Sequence, residues 1–323
     1  MSIMKCMNCG AKAAMRMRQH RLSLCKEHYL EWFVAQTDRF ITKYKMFKPH
    51  ERILVAVSGG KDSLGIWDVL WRLGYQVDGL YINLGIDGGI NYSSESEQYN
   101  QAFIESRDLS LAVVDMKSDY AATIPDLARN TLRGRQKPCS ACGLVKRHIM
   151  NQYCQDHGYD VLVTGHNLDD EASVLFSNVF NWNSDLLLRQ APVLPDSNGL
   201  SRKAKPFCRF AERETAAYAI LRGIEYHYEE CPYSVESTSL YYKSILNQIE
   251  ETQPGAKLRF YSGFLKARKT GLFNKSVETN MPADEGQRCP NCGQPTLING
   301  LCAFCRLFVQ QSENRPIRRK KKH

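Results

Sequence analysis

Ile53-Leu54-Val55-Ala56-Val57-Ser58-Gly59-Gly60-Lys61-Asp62-Ser63 is the stretch whose reading decides the fold. Its first five residues are apolar, and three of them are β-branched. That reads as a short strand buried on both faces. The glycine pair then turns the chain, and Leu64 to Leu73 follows with helical spacing before Gly74. A glycine turn between a strand and a helix lets backbone amides approach a phosphate, and the helix N-terminus adds partial positive charge. Lys61 supplies a mobile cation, and Ser58 and Ser63 supply hydroxyls. The loop is not a Walker A sequence, which needs a four-residue gap before Gly-Lys. Nor is it the dinucleotide fingerprint, which needs a third glycine.

Outward from this loop the pattern repeats. Strands are expected at 77–84, 109–115 and 160–164. Helices are expected at 29–47, 92–107, 119–133, 142–157 and 168–180. Alternating strands and helices predict a doubly wound parallel sheet covered on both faces. Such sheets bind ligands beyond the carboxyl ends of their strands. Past residue 190 the chain carries prolines and basic residues, then reads as mostly helical over 211–223 and 235–269.

The 12 cysteines carry the next signal. Cys6 and Cys9 are followed, fifteen residues on, by Cys25 and His28. Cys289 and Cys292 are followed, nine residues on, by Cys302 and Cys305. Each set supplies four ligands in paired spacing, as a closed structural zinc site requires. Gly10 and Gly293 follow the first pairs, where a tight turn needs positive φ. Cys139 and Cys142 form a third, solitary pair. It reads as a redox pair, a disulfide or part of a metal site. Cys231 precedes Pro232, a step common at iron–sulfur ligands. Cys154 and Cys208 read as small buried side chains.

The domain reading is therefore an N-terminal zinc module at 1–30, a catalytic domain at 31–270, a linker at 271–288, a C-terminal zinc module at 289–308 and a basic tail at 309–323. Composition agrees with a globular protein: 43% hydrophobic and 24% charged residues exclude wholesale disorder. No apolar run approaches the roughly 18 residues needed to cross a bilayer. The N-terminus has no apolar leader, so no membrane association and a reducing, cytoplasmic setting are expected. The formal charge of +9 favours a polyanionic partner. The basic tail and the patch Arg129, Arg133, Arg135 and Lys137 read either as solvated surface or as phosphate contacts.

Ser-Gly-Gly-Lys-Asp-Ser is the signature of the PP-loop (HUP-like) ATP pyrophosphatases. The chain also has Pro-Cys-Ser-Ala-Cys-Gly at 138–143, Gly-His-Asn-Leu-Asp-Asp-Glu at 165–171 and Glu-Cys-Pro-Tyr at 230–233, between two zinc modules. In that order it resembles the TtuA-type tRNA 2-thiouridine synthetases of the wider TtcA/TtuA family, over nearly its whole length. The cytidine-thiolating members generally lack the zinc modules, which favours uridine. The resemblance implies that Ser58, Gly59, Gly60, Lys61, Asp62 and Ser63 hold ATP phosphates. It implies that Ala56 and Ile82 meet the adenosine through backbone, and that Gly165 ends a strand at the nucleotide edge. Asp62, Lys146 and Asp170 are the implied catalytic residues, and Asp170 would also bind Mg²⁺. Asp169 and Glu171 read as a helix N-terminal charge cluster. Cys139, Cys142 and Cys231 would hold a [4Fe–4S] cluster. The implied reaction is ATP-dependent adenylation of a tRNA uridine O2, then sulfur transfer to C2, with T-loop 5-methyluridine favoured over the wobble position. The implied partners are tRNA, a thiocarboxylated ubiquitin-like sulfur carrier or free sulfide, and a second copy of the chain in a homodimer.

Three other readings compete. An amide-forming PP-loop enzyme would need no cluster. A non-enzymatic zinc-ribbon RNA-binding protein would leave the loop and the 165–171 motif without a use. Cytidine thiolation would differ only in its product.

Overall fold

The computed structural model describes residues 4–87, 89, 91–234, 238–271 and 287–313. Almost all of the expected linker, and the basic tail from residue 314, lie outside them. The chain opens with a hairpin, β1 (Met15–Met17) and β2 (Leu22–Leu24), antiparallel and joined by a 3-10 turn. Helix α1 (Lys26–Tyr44) follows. Its buried residues Tyr29, Phe33, Thr37 and Ile41 recur every four positions, which puts them on one face. Phe33 stacks on Phe210 at 4.1 Å and on Tyr218 at 4.5 Å, anchoring the N-terminal module to the main body.

The main sheet has six strands in the order β5-β4-β3-β6-β8-β7. These are β3 (Ile53–Val57), β4 (Val77–Asn83), β5 (Leu111–Asp115), β6 (Val161–Thr164), β7 (Val193–Leu194) and β8 (Lys203–Ala204). All pairings are parallel except β7 with β8. Alternate residues of β3 face opposite sides. Ile53, Val55 and Val57 belong to the core beneath α1, whereas Leu54 joins the core on the other face.

Crossovers supply α2 (Lys61–Arg72), α3 (Tyr92–Glu105), the short helices α4 (Met116–Tyr120), α5 (Ile124–Asn130) and α6 (Leu132–Gln136), then α7 (Pro138–Asp156) and α8 (Leu168–Phe180). A short α9 (Ser184–Leu188) precedes β7 and β8, and α10 (Glu212–Arg222), α11 (Thr238–Thr252), α12 (Ala256–Lys269) and α13 (Ala303–Glu313) follow among the described residues. Helix α2 is buried nearly all round, and Trp67 lies so close to β4 that a Cβ on Gly79 would stand 2.4 Å from its ring.

Four expectations change. The helix expected at 119–133 is three short helices, because Asp115, Thr123 and Thr131 each cap a new start. The helix expected at 142–157 begins at Pro138, so both Cys139 and Cys142 lie in its first turns. The stretch expected to be mostly helical over 235–269 is two helices parted at Pro254-Gly255, where Gly255 takes φ 86° as the N-cap of α12, and residues 235–237 lie outside the described residues. Strands β7 and β8 were not expected. Among the described residues, no helix is long and apolar enough to cross a membrane.

Candidate active site

Strand order reverses between β3 and β6: the chain builds β4 and β5 on one side of β3, then returns to place β6 on the other. The carboxyl ends of β3 and β6 therefore form the switch point where open α/β sheets bind ligands. Helices α2 and α8 both begin there, directing their N-terminal amides at one space. Ala56 pairs in register with Thr164 across this gap, and Ile82 lies one residue before the end of β4.

The loop between β3 and α2 is held by its own side chains. The Ser58 amide donates to Ser63 Oγ at 3.1 Å, and Ser63 Oγ donates to the Gly60 carbonyl at 2.9 Å. Gly59 sits at φ 75°, and a Cβ there would stand 2.7 Å from the Ser96 carbonyl oxygen. Gly165 packs so tightly on the start of α2 that a Cβ would stand 2.7 Å from Asp62 backbone and 2.8 Å from the Ser63 nitrogen. Both glycines are required by close approach.

A chain of alternating charges crosses the loop. Lys61 Nζ meets Glu212 Oε1 at 2.8 Å and Asp62 Oδ2 at 3.1 Å. Lys243 Nζ meets Asp170 Oδ1 at 2.6 Å and Glu212 Oε2 at 3.4 Å. Thr215 Oγ1 donates to Asp62 Oδ1. The second Asp170 oxygen accepts from the Asn167 amide at 3.0 Å, closing a capping box on α8. Burial pushes the Asp62 carboxyl up, and Lys61 and Thr215 only partly offset it. Burial also opposes the Asp170 charge, but there Lys243, His166 and the Asn167 amide prevail and hold the carboxyl below its ordinary range. Burial disfavours the Lys61 charge, yet Asp62 and Glu212 outweigh it and keep the ammonium above its ordinary range. Asp169 and Glu171 take structural roles: buried Asp169 pairs with Lys257 and accepts the Glu212 amide, while Glu171 pairs with Lys205 at 2.7 Å.

Cys139 and Cys142 lie on the first turns of α7, three residues apart and so on one face. Cys139 Sγ donates to the Tyr233 carbonyl at 3.1 Å, bringing the segment that carries Cys231 against that face. Cys139, Cys142 and Lys146 all act electrostatically on the Cys231 thiol, which burial pushes up. The Cys142 thiol is likewise raised by burial and eased by Lys146. Lys146, exposed on α7, acts electrostatically on His166 beside Gly165 as well as on the thiols. The two regions share backbone as well: the His227 amide, four residues before Cys231, donates to the Gly59 carbonyl at 2.9 Å. The donor set fits an iron–sulfur cluster with three protein ligands and one vacant corner. These three thiols are not gathered around a point as tightly as the zinc-type sets are.

Both four-residue sets do gather. The donor atoms of Cys6, Cys9, Cys25 and His28 lie within 4.8 Å of one another, as do those of Cys289, Cys292, Cys302 and Cys305. Each uses a turn with positive-φ glycine, Gly10 at 74° and Gly293 at 69°, and then the start of a helix. This donor chemistry suits tetrahedral zinc. The C-terminal module docks on α7 through Phe304, stacked on His148 at 3.7 Å.

Sequence reasoning missed Glu212, Thr215 and Lys243. They lie some 150 to 180 residues beyond the loop in helices with no recognisable motif, and only the packing of α10 and α11 brings them to it.

Comparison with known proteins identifies relatives along nearly the whole chain. Residues 5–30 match the model for the N-terminal LIM domain of the 2-thiouridine synthetase TtuA, and residues 30–231 match the PP-loop domain. A tRNA-5-methyluridine(54) 2-sulfurtransferase from Thermus thermophilus is 51% identical over 305 residues, spanning 94% of this chain and 91% of its own. One of the same name from Pyrococcus horikoshii is 40% identical, spanning 96% and 95%. The solved U34-tRNA thiolase NcsA from Methanococcus maripaludis, described with its [4Fe–4S] cluster, superposes with a TM-score of 0.72. It is 24% identical and covers 88% of this chain and 93% of its own, a likeness of fold.

Proposed function

The chain belongs to the TtuA family of tRNA 2-thiouridine synthetases and is a PP-loop tRNA sulfurtransferase, and from that premise we propose how its residues carry out the reaction. The target is 5-methyluridine 54 of tRNA. That target is the one named for the relatives, and the thiolation chemistry rests most on one observation: the segment carrying Cys231 is bonded both to the phosphate loop, through the His227 amide and Gly59, and to the face of α7 that bears Cys139.

ATP binds with its phosphates on the amides of the loop and its adenosine along Ala56 and Ile82. Lys61 and Lys243 exchange their carboxylate partners for phosphate oxygens. That exchange frees Asp62 and Asp170 to hold Mg²⁺. The uridine O2 attacks the α-phosphorus, forming an O–P bond as pyrophosphate leaves. Sulfur then attacks C2, the C2–O bond breaks, and AMP departs with that oxygen. Lys146 would stabilise charge on the phosphate or on the leaving oxygen. Cys139, Cys142 and Cys231 would hold the [4Fe–4S] cluster, which when bound supplies a vacant iron to carry sulfur. Zinc in the two terminal sites would be structural.

Ten of the twelve cysteines fall in the two zinc-type sets and the thiol site, and metal-ligand use of thiolates supports a reducing, cytoplasmic setting. The exposed apolar residues Phe180 and Trp182 near the end of α8 and Leu186 on α9 would be covered by a second copy in a homodimer. The donor is a thiocarboxylated ubiquitin-like carrier or free sulfide. Mass analysis of nucleosides from tRNA treated anaerobically with ATP, Mg²⁺ and sulfide tests the reading. It expects 2-thio-5-methyluridine and AMP. Unmodified tRNA, or thiolated cytidine, would overturn it. An amide-forming enzyme would be colourless and active without iron.

A further inference from the structure

Between the phosphate loop and Cys231 runs Tyr226-His227-Tyr228-Glu229-Glu230. Its first residue, Tyr226, is buried and within electrostatic reach of Lys61 and Asp62. Its second is fixed to the loop through the His227 amide, and its ring packs edge-on against Tyr92 at 4.9 Å. Tyr228 lies against Tyr226 with ring centroids 4.3 Å apart and planes inclined by 34°. Yet Tyr228 is 73% exposed. A large aromatic ring is thus backed on one side, open on the other, and carried on a segment anchored at both the ATP loop and the thiol site.

Reaction at C2 requires the uridine to leave the base stack of folded RNA. An extruded base needs a π-surface to replace the one it lost, and a backed, exposed tyrosine offers one. The two acids that follow, Glu229 and Glu230, are exposed and would repel phosphates, so the surface suits a neutral base and not the RNA backbone.

We propose that Tyr228 is the platform on which the extruded target uridine stacks, holding its C2 edge between the phosphate loop and Cys231. This rests on the thiolation reading above and adds the residue that receives the base. Stacking on an aromatic ring is worth about 1–3 kcal/mol per base, so loss of the ring costs roughly 5- to 150-fold in kcat/KM for tRNA. The ring, and not the hydroxyl, carries the effect.

The test uses anaerobically prepared holoenzyme as wild type, Tyr228→Phe, Tyr228→Trp and Tyr228→Ala. It measures kcat/KM for tRNA, the dissociation constant for ATP, and the fluorescence of tRNA carrying 2-aminopurine beside the target uridine. We expect Tyr228→Phe and Tyr228→Trp to keep at least half of wild-type kcat/KM. Tyr228→Ala should lose roughly 5- to 150-fold and the fluorescence rise on binding, with ATP affinity unchanged in all. Equal activity of Tyr228→Ala and wild type, or equal loss in Tyr228→Phe and Tyr228→Ala, would overturn the proposal. An inactive wild type would instead refute the thiolation reading, so the two failures are distinct.

Discussion

Gly165 shows how little freedom a single residue has at this site. A side chain there would press on the backbone of Asp62 and Ser63 and push the start of α2 away from the phosphates. Overpacking of this kind costs typically 1–3 kcal/mol. Gly165→Ala is therefore expected to weaken ATP binding about tenfold or more, read by calorimetric titration, with both zinc ions retained. Asp62 gives a second outcome of opposite sense. Burial raises its carboxyl pKa, so Asp62 favours folding at acid pH and loses that contribution as pH rises through its folded pKa. At neutral pH its charge opposes the fold. Asp62→Asn should raise Tm at neutral pH, with the gain shrinking toward the ordinary carboxylate range, while thiolation falls on the order of a hundredfold. A lower Tm at neutral pH would show that the Lys61 and Thr215 contacts outweigh burial. The local structure was readable where residue type and spacing carried it, as in the strand, glycine turn and helix start around Ser58 to Ser63. Glu212 was not readable, because an acid opening a helix usually serves only that helix.

Among the elements, α11 shows what distant packing adds. It delivers Lys243 to Asp170, and no local pattern forecast that. Because Lys243 helps keep the Asp170 carboxyl below its usual range, removing that cation should let its pKa rise. The acid limb of the kcat/KM profile for Lys243→Ala should therefore move to higher pH, and Lys243→Arg should restore it. An unmoved limb would remove Asp170 from the reaction or Lys243 from its neighbourhood. Long apolar strands and amphipathic helices were legible because periodicity accumulates over many residues. Strands of two residues, β7 and β8, carry no such signal and exist because they extend a sheet edge. The break between α11 and α12 was written in Pro254-Gly255, a pair that the apolar spacing on either side masked.

At the scale of the molecule, two small metal modules brace opposite faces of one sheet. The N-terminal one docks through α1, the C-terminal one through Phe304 on α7, the helix that bears Cys139 and Cys142. Zinc removal by a chelator should lower Tm, and Cys305→Ala should also reduce the iron content, because the support of α7 is lost. Iron loading unaffected by Cys305→Ala would make the C-terminal module independent of the thiol site. The overall charge of +9 favours tRNA by counterion release, so affinity should fall steeply and linearly in log–log terms with salt.

The sharpest trial of the proposed vacant iron beside the phosphate loop is electron paramagnetic resonance of the reduced, anaerobically reconstituted protein, recorded with and without added sulfide. Sulfide should shift the cluster signal, and Cys231→Ala should abolish the signal itself. A cluster spectrum indifferent to sulfide, or one that survives loss of Cys231, would contradict the account.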